Sequence, residues 1–212
     1  MISTALIVLD EEYWIRQCLD RVRTYPVDEV IIVDGGSRDA TVQIIRDEYP
    51  EVVLYERPMP VSFSEQRNFA KSKARGEWIL SLDADETLRG ADLLPMLIEQ
   101  SGIIGFSFPT DHVGGGQTDV DPHIRLFANR PDLNWTREVH EYLTWGDQVL
   151  VSHPAHMEGQ REFLRWCPEV TVVHWAYTAP PEHLRQKAER YKKYNQFGAG
   201  IQVNSVEDLL PR

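Results

Sequence analysis

The feature that most constrains this chain is a regular exchange, over residues 4–82, of short continuous apolar runs with segments of helical period. "TALIVL" reads as a buried strand, after which Ile15, Cys18, Leu19 and Val22 recur at helical spacing through "EYWIRQCLDRV". The unit then repeats: "EVIIV" as strand, "DGGSRD" as turn, "ATVQIIRDEY" as helix, with Pro50 as a stop. "EVVLYE" gives a third strand. Ser62 and Glu65 form a capping box opening a helix through "SEQRNFAKSKA", and Gly76 ends that helix before "EWILSL". Strands without polar alternation are buried on both faces, so the expected fold class is α/β, a mostly parallel sheet flanked by helices. Ligands in such sheets sit at the carboxyl ends of the strands, where "DGGSRD" and "DADE" both fall.

Beyond residue 90 the pattern changes. A helix over 91–100 leads to the strand "IIGFSF", and the Gly- and Asp-rich "PTDHVGGGQTDVDP" reads as a mobile loop over residues 111–121, with Gly114 to Gly116 absorbing its motion as it closes on a substrate. "HIRLFA", "QVLVS" and "EVTVVHW" are expected as strands of a smaller mixed region, and "PPEHLRQKAERYKKYNQF" as a long helix starting near Pro181. The expectation is one domain over 1–212, with a nucleotide-binding half (1–105) and an acceptor-side half (106–212).

With 42% hydrophobic and 26% charged residues, the composition is that of a globular protein. No apolar run approaches the roughly 20 residues of a membrane span, and the N-terminus lacks a basic leader, so a cytoplasmic location is expected. Cys18 and Cys167 are expected to be free thiols. A net charge of -11 argues against general nucleic-acid binding, and it means that an anionic substrate needs a cation or a concentrated set of basic side chains.

Asp83 and Asp85 close the fourth strand two residues apart, and persistent strand geometry would point them the same way. At about 6 Å and an effective dielectric near 20 they would repel by roughly 3 kcal/mol. A divalent cation, Mn²⁺ or Mg²⁺, shared with substrate phosphates is the economical compensation. The plainer alternative is that Asp83 and Glu86 cap the following helix. Asp119 and Asp121 have the same spacing but lie in the Gly-rich loop, as solvated turn acids. Asp34 either forms its own turn or contacts a base, with Gly35 and Gly36 allowing close backbone approach. Arg67 shares a helical stripe with Phe63, Ala70 and Ala74, so it is aimed at the sheet and needs a partner there: Asp34, or a bound nucleotide.

Taken together, these residues resemble the family 2 glycosyltransferases of GT-A fold. The matching segments are "TALIVLDEEYWIRQCL", "VIIVDGGSRDAT" and "EQRNFAKSKARGEWILSLDADE", in order over the first 90 residues. The branch that looks similar contains lipopolysaccharide-core glucosyltransferases, in which an Arg-Leu-Phe segment leads into Val-His-Glu; here these read "RLFANRPDLNWTREVHEYL", followed later by "VVHWAY". The resemblance implies a nucleotide sugar donor, a UDP-sugar, with Asp34 and Arg67 at its uracil or ribose and Val8, Asp10 and Ala84 lining the donor site. It implies a metal on Asp83 and Asp85. Asp10 stands where the family usually has Asn, and Gly35 where many members have a second Asp, which bears on base recognition.

Such a reaction develops negative charge on the leaving diphosphate. Asp83 and Asp85 would hold the neutralising metal, with His174 as third ligand or phosphate contact, or else as a core histidine bonded to backbone. His183, Lys187, Arg190 and Tyr194 form one stripe of the C-terminal helix, and Lys187 and Arg190 either meet the diphosphate or form a solvated basic face. Glu141 is the expected base for the acceptor hydroxyl, as the resemblance suggests, with Glu138 and Asp111 in reserve; the alternative is a surface pair of Glu138 and Glu141. Trp135, Trp145 and Trp175 are either a sugar platform or buried packing. The expected reaction is inverting. Its acceptor is a saccharide, a lipid-linked sugar, a peptide or a modified nucleobase. Alternatives are a sugar-phosphate nucleotidyltransferase, which should carry a Gly-rich signature absent from "LIVLDEEYW", and a non-catalytic nucleotide-binding protein. A dinucleotide oxidoreductase is disfavoured because no GxGxxG follows an early strand.

Overall fold

Period-two alternation along β1 (Ile2–Val8) sets up two separate cores. Ile2, Leu6 and Val8 face one, while Ala5 and Ile7 face the other. The helix α1 (Ile15–Val22) covers the first face with Ile15, Cys18, Leu19 and Val22, the stripe expected from its sequence. After β2 (Glu29–Asp34), the helix α2 (Thr41–Glu48) adds Ile44 and Ile45 to the same layer. β3 (Val53–Glu56) forms the edge, and α3 (Phe63–Lys73) crosses to the opposite face, where Ala70 is buried. Ser62 caps α3, its Oγ accepting from the Glu65 amide at 3.2 Å, and Glu65's carboxylate lies 3.9 Å from Arg57. β4 (Trp78–Leu82) returns through the centre, buried along its whole length. Each fully buried Leu or Ile in such a core contributes about 1.5–3 kcal/mol of transfer free energy.

The computed structural model describes residues 1–59, 62–114, 122–138 and 140–192. Beyond β4 come β5 (Glu86–Arg89), α4 (Leu94–Ile98), β6 (Gly105–Phe108), β7 (Thr110–His112), β8 (His123–Ala128), β9 (Leu133–Thr136), β10 (Tyr142–Trp145), β11 (Gln148–Val149), β12 (Leu164–Trp166), β13 (Thr171–His174) and α5 (Pro181–Lys192). The main sheet has seven strands in the order β12-β6-β8-β4-β1-β2-β3. β1 to β4 are mutually parallel where they pair, and β8 runs antiparallel between β4 and β6. Two three-stranded sheets, β11-β10-β9 and β5-β13-β7, form the smaller mixed region.

Three expectations need correcting. Thr110–His112 pairs with β13 as strand β7, so the segment after Phe108 begins in a sheet before any loop. Residues 115–121, with Gly115 and Gly116, lie outside the described residues. "QVLVS" contributes only a two-residue strand, because Leu150 turns inward to the core and its amide donates to Leu143 O at 2.9 Å. The helix expected over 91–100 is a single 3-10 turn at Ala91–Leu93 followed by the short α4. Both cysteines are free and buried.

Glycine is required by close approach at Gly76. A Cβ there would lie 2.4 Å from Ser3 Oγ and 2.7 Å from Ser3 N, because the Gly76 amide donates to Ser3 Oγ at 2.8 Å.

Candidate functional site: an ion cluster at the end of β4

The chain leaves β4 at Leu82 and turns at once. Asp83 N donates to Glu86 Oε2 at 2.9 Å, Glu86 N donates to Asp83 O at 3.0 Å, and Trp175 N donates to Asp85 O at 2.8 Å. This turn replaces the expected strand geometry, and the two aspartates do not face one shared point. Asp83 Oδ1 accepts from Arg67 Nη2 at 2.8 Å, with Arg125 Nη1 3.8 Å from Oδ2. Asp85 Oδ2 accepts from Lys187 Nζ at 2.7 Å and lies 3.5 Å from His174 Nε2. Glu86 is no helix cap: it is buried at the start of β5, paired with the Arg125 guanidinium. The repulsion between carboxylates is thus met by side chains of four separate elements, α3, β8, β13 and α5.

Electrostatics follow from that pairing. Burial pushes the Asp83 carboxyl upward, but Arg67 and then Arg125 outweigh it and leave it below the ordinary range. Asp85, whose side chain is 5% exposed, is likewise opposed by burial yet held well below it by Lys187 and then His174. Glu86 is raised, chiefly by burial, against the pull of Arg125. His174 pays a cost of burial, but Asp85, and secondarily Glu86, favour its cationic form and leave it raised. Its other ring nitrogen, Nδ1, lies 2.8 Å from His112 Nδ1.

Arg67 has a different partner set from the one expected. It pairs with Asp83 and with Glu141, whose Oε1 accepts from Nε at 2.6 Å, and Nη1 lies 3.4 Å from Ser81 Oγ. Asp34 instead closes its own turn, Oδ2 accepting from the amides of Gly36 at 2.8 Å and Ser37 at 3.0 Å, with Gly36 at φ 96°. Glu141 therefore belongs to the cluster, tied to Asp83 through one guanidinium. Its segment is anchored on α3 by three further contacts: Phe63 N to Glu138 O at 2.8 Å, Asn68 Nδ2 to Trp135 O at 2.8 Å, and Trp135 N to Asn68 Oδ1 at 2.8 Å. Arg137 (φ 73°) and His140 (φ 52°) hold left-handed conformations on either side of Glu138, a cost that such anchoring offsets.

Sequence reasoning missed Arg125. It sits at a β-bulge: Phe106 pairs with Leu126 and Ser107 with Ile124, so Arg125 is the extra residue. Bulges re-aim side chains, and this one carries a buried guanidinium to Asp83 and Glu86. The available signal was a charge inside the apolar strand "HIRLFA". Glu11 was also missed; its Oε1 lies 3.3 Å from Lys187 Nζ.

The remaining candidates fall around this centre. Val8 ends β1 with its carbonyl accepting from Gly35 N at 2.8 Å, and Ala84 is buried in the turn between the aspartates. Asp10 (φ 53°) joins the β1 and β2 loops, its amide donating to Ser37 Oγ at 2.8 Å and its Oδ1 accepting from Arg38 N at 2.6 Å. Asp and Asn tolerate this left-handed conformation, which accounts for an Asp at that position. Of the reserve bases, Asp111 pairs with Arg89 at 3.2 Å and Glu138 is exposed. The tryptophans do not make one platform: Trp135 meets Phe127 edge to face, Trp145 meets Phe163 likewise, and Trp175 donates from Nε1 to Thr87 Oγ1 at 3.0 Å beside Trp14. The His183 ring lies 5.4 Å from that of Tyr13. Arg190 lies within α5, and its side chain, like Tyr194, is outside the described residues.

No group of three or more His, Cys, Asp or Glu side chains among the described residues converges as a self-sufficient metal site. That suits Mn²⁺ or Mg²⁺ arriving with a diphosphate, since such ions take one or two carboxylates and complete their shell with phosphate oxygens and water. Asp83, at 36% exposed, can be reached, and Asp85 Oδ2 and His174 Nε2 lie 3.5 Å apart. Asp85 and His174 thus offer a place for a phosphate-borne cation, while Asp83, turned to Arg67 and Arg125, does not face the same point.

The parallel run β3-β2-β1-β4, the reversed β8 and an acid cluster at the carboxyl end of β4 define an α/β architecture of GT-A type. The chain belongs to glycosyltransferase family 2: the family model described as Glycosyl transferase family 2 matches residues 3–179. It is 32% identical over 194 residues to a TPR repeat-containing protein of Synechococcus elongatus, covering 91% of this chain and 46% of that one. It is 36% identical over 84 residues to the prophage-derived glycosyltransferase SunS of Bacillus subtilis, covering 40% and 20% respectively. The chain thus spans half or less of the length of these relatives. Among solved structures, S. aureus TarS superposes with a TM-score of 0.62 at 15% identity over 90% of this chain and 39% of TarS. The mannosyltransferase PcManGT of Pyrobaculum calidifontis, in complex with GDP-Man and Mn²⁺, superposes at 0.57 with 14% identity over 98% and 68%. At these identities the likeness is one of fold. No helix among the described residues is long and apolar enough to cross a membrane.

Proposed function

We propose that this chain transfers a sugar from a nucleotide diphosphate sugar, a UDP-sugar, to an acceptor hydroxyl with inversion at the anomeric carbon. The observation that carries the reading is Arg67, one guanidinium joining an acid of the "DAD" turn to Glu141, so that a donor-side carboxylate and a candidate base share one rigid cluster. In the transfer, the bond from the anomeric carbon to the diphosphate oxygen breaks and its electron pair leaves with the diphosphate. The acceptor oxygen bonds to the opposite face of that carbon, and its proton passes to Glu141. Asp85 and His174, with Asp83 beside them, would hold Mn²⁺ or Mg²⁺, which would supply Lewis-acid neutralisation of the leaving diphosphate. Lys187 and Arg190 on α5 add positive charge for the same group, and Val8, Asp10, Asp34 and Ala84 line the nucleoside side. Arg67 orients Glu141, whose Oε1 accepts from its Nε at 2.6 Å.

The Arg125-Leu126-Phe127 and Val139-His140-Glu141 segments support a finer kinship with the lipopolysaccharide-core glucosyltransferases. Two buried free thiols support a reducing, cytoplasmic setting. The test is UDP release from a panel of UDP-sugars with Mn²⁺. Release in the wild-type chain, lost in Asp85→Asn with its fold intact by circular dichroism, is the expected result. Product with retained anomeric configuration would overturn the single displacement.

A further inference from the structure

We infer that Lys187 is the resident counter-cation of the donor-free site, holding Asp85 until a divalent cation arrives with the diphosphate and then exchanging that carboxylate for a phosphate oxygen. The inference rests on the transferase reading above and goes beyond it by assigning the state of the site before substrate binds. Four observations converge. Lys187 Nζ contacts two carboxylates from different elements, Asp85 at 2.7 Å and Glu11 at 3.3 Å. All three groups are shielded, at 13%, 5% and 13% exposed for Lys187, Asp85 and Glu11. The ammonium and the His174 imidazole converge on the same oxygen, Asp85 Oδ2, which is where a cation bound by Asp85 and His174 would sit. Finally, this cation comes from α5, which begins at Pro181, just past the residues 3–179 matched by the family model.

The exchange balances in charge. An ammonium is a compact point charge on a flexible stem, able to swing between a carboxylate and a phosphate without leaving either unmatched. A divalent cation without nucleotide must displace Lys187 and cost the shielded ammonium its 2.7 Å contact with Asp85. With UDP present, the displaced ammonium has a diphosphate to pair with. Metal binding is thereby made conditional on the nucleotide, and α5 is drawn onto the donor as the exchange occurs.

The experiment is isothermal titration of the full chain with Mn²⁺ alone, with UDP alone and with Mn²⁺ in saturating UDP, repeated for Lys187→Met, Lys187→Gln and Lys187→Arg. Bound Mn²⁺ is counted independently by the loss of its free-ion EPR signal, and folding is checked by melting temperature. Wild type should bind Mn²⁺ weakly alone and much more tightly with UDP. Lys187→Met and Lys187→Gln should gain about tenfold or more in affinity for Mn²⁺ alone, about 1.4 kcal/mol, and lose affinity for UDP. Lys187→Arg should keep the wild-type pattern. If wild type shows UDP-dependent Mn²⁺ binding but neither neutral variant gains affinity for Mn²⁺ alone, the inference is overturned and the transferase reading stands. If wild type binds neither Mn²⁺ nor UDP under any condition, both fall together.

Discussion

Replacing Arg67 with Met should destabilise the fold by an amount that can be worked out from its two ion pairs. The guanidinium is 11% exposed and serves Glu141, 12% exposed, at 2.6 Å, and Asp83, 36% exposed, at 2.8 Å. Removing one partner of a buried pair costs about 3–5 kcal/mol, because the other charge is left uncompensated. Glu141 carries most of that cost. Asp83 is partly solvated and keeps Arg125 at 3.8 Å, so solvent screening makes its share small. For a chain of this length, about 3 kcal/mol lowers the melting temperature by roughly 6–12 °C. The assay is calorimetric unfolding of Arg67→Met, Glu141→Gln and the double variant. If the cost is an orphaned carboxylate, Glu141→Gln destabilises the chain when Arg67 is present, whereas in the Arg67→Met background it restores at least half of the loss. A fall of under about 2 °C for Arg67→Met, or additive losses in the double variant, would refute the account of the triad.

Other outcomes follow from single contacts. Burial opposes ionisation of Glu29, but it pairs with Ser3 and accepts from Arg75 N at 2.6 Å and Arg75 Nε at 2.8 Å, and these contacts win, holding its pKa below the ordinary glutamate value. A lowered folded pKa contributes stability above the unfolded value that is lost as pH falls through the folded one, so Glu29→Gln should melt below wild type at pH ~7 and the gap should close below pH ~4.5; a gap independent of pH would count against this. Gly76→Ala places a Cβ 2.4 Å from Ser3 Oγ and should cost about 1–3 kcal/mol by denaturant titration, with no relief from Ser3→Ala because the Ser3 amide is also within 2.7 Å. Glu141→Gln should lower kcat by about 10²–10⁴ with little change in KM for the UDP-sugar; an equal kcat would remove Glu141 as base.

The first half of the fold was legible because its elements are local and strongly patterned. The α1 stripe, the Ser62 cap and the unbroken burial of β4 each follow from residues within one element, and the structure contains all three. What escaped sequence reasoning depends on tertiary proximity. Arg67 was rightly aimed at the sheet, yet whether it meets Asp34 or Asp83 depends on which strand end lies under its helix. Asp83 and Asp85 diverge because Glu86 closes the turn after Leu82, a competition between side chain and strand that spacing alone does not register. Arg125 was hidden for another reason. A lone charge in an apolar strand has no readable direction until a bulge gives it one.

That bulge has a consequence for how the sheet assembles. Arg125 reaches Asp83 and Glu86 only because β8 carries one residue more than β6 across the Phe106–Ser107 step. Sliding β8 by a single position would send the guanidinium to the far side, taking from Glu86 its arginine partner and leaving Asp83 to Arg67. A misaligned sheet is then disfavoured by charge as well as by packing, and the ions that equip the cleft act as a proofreader of strand alignment while the chain folds.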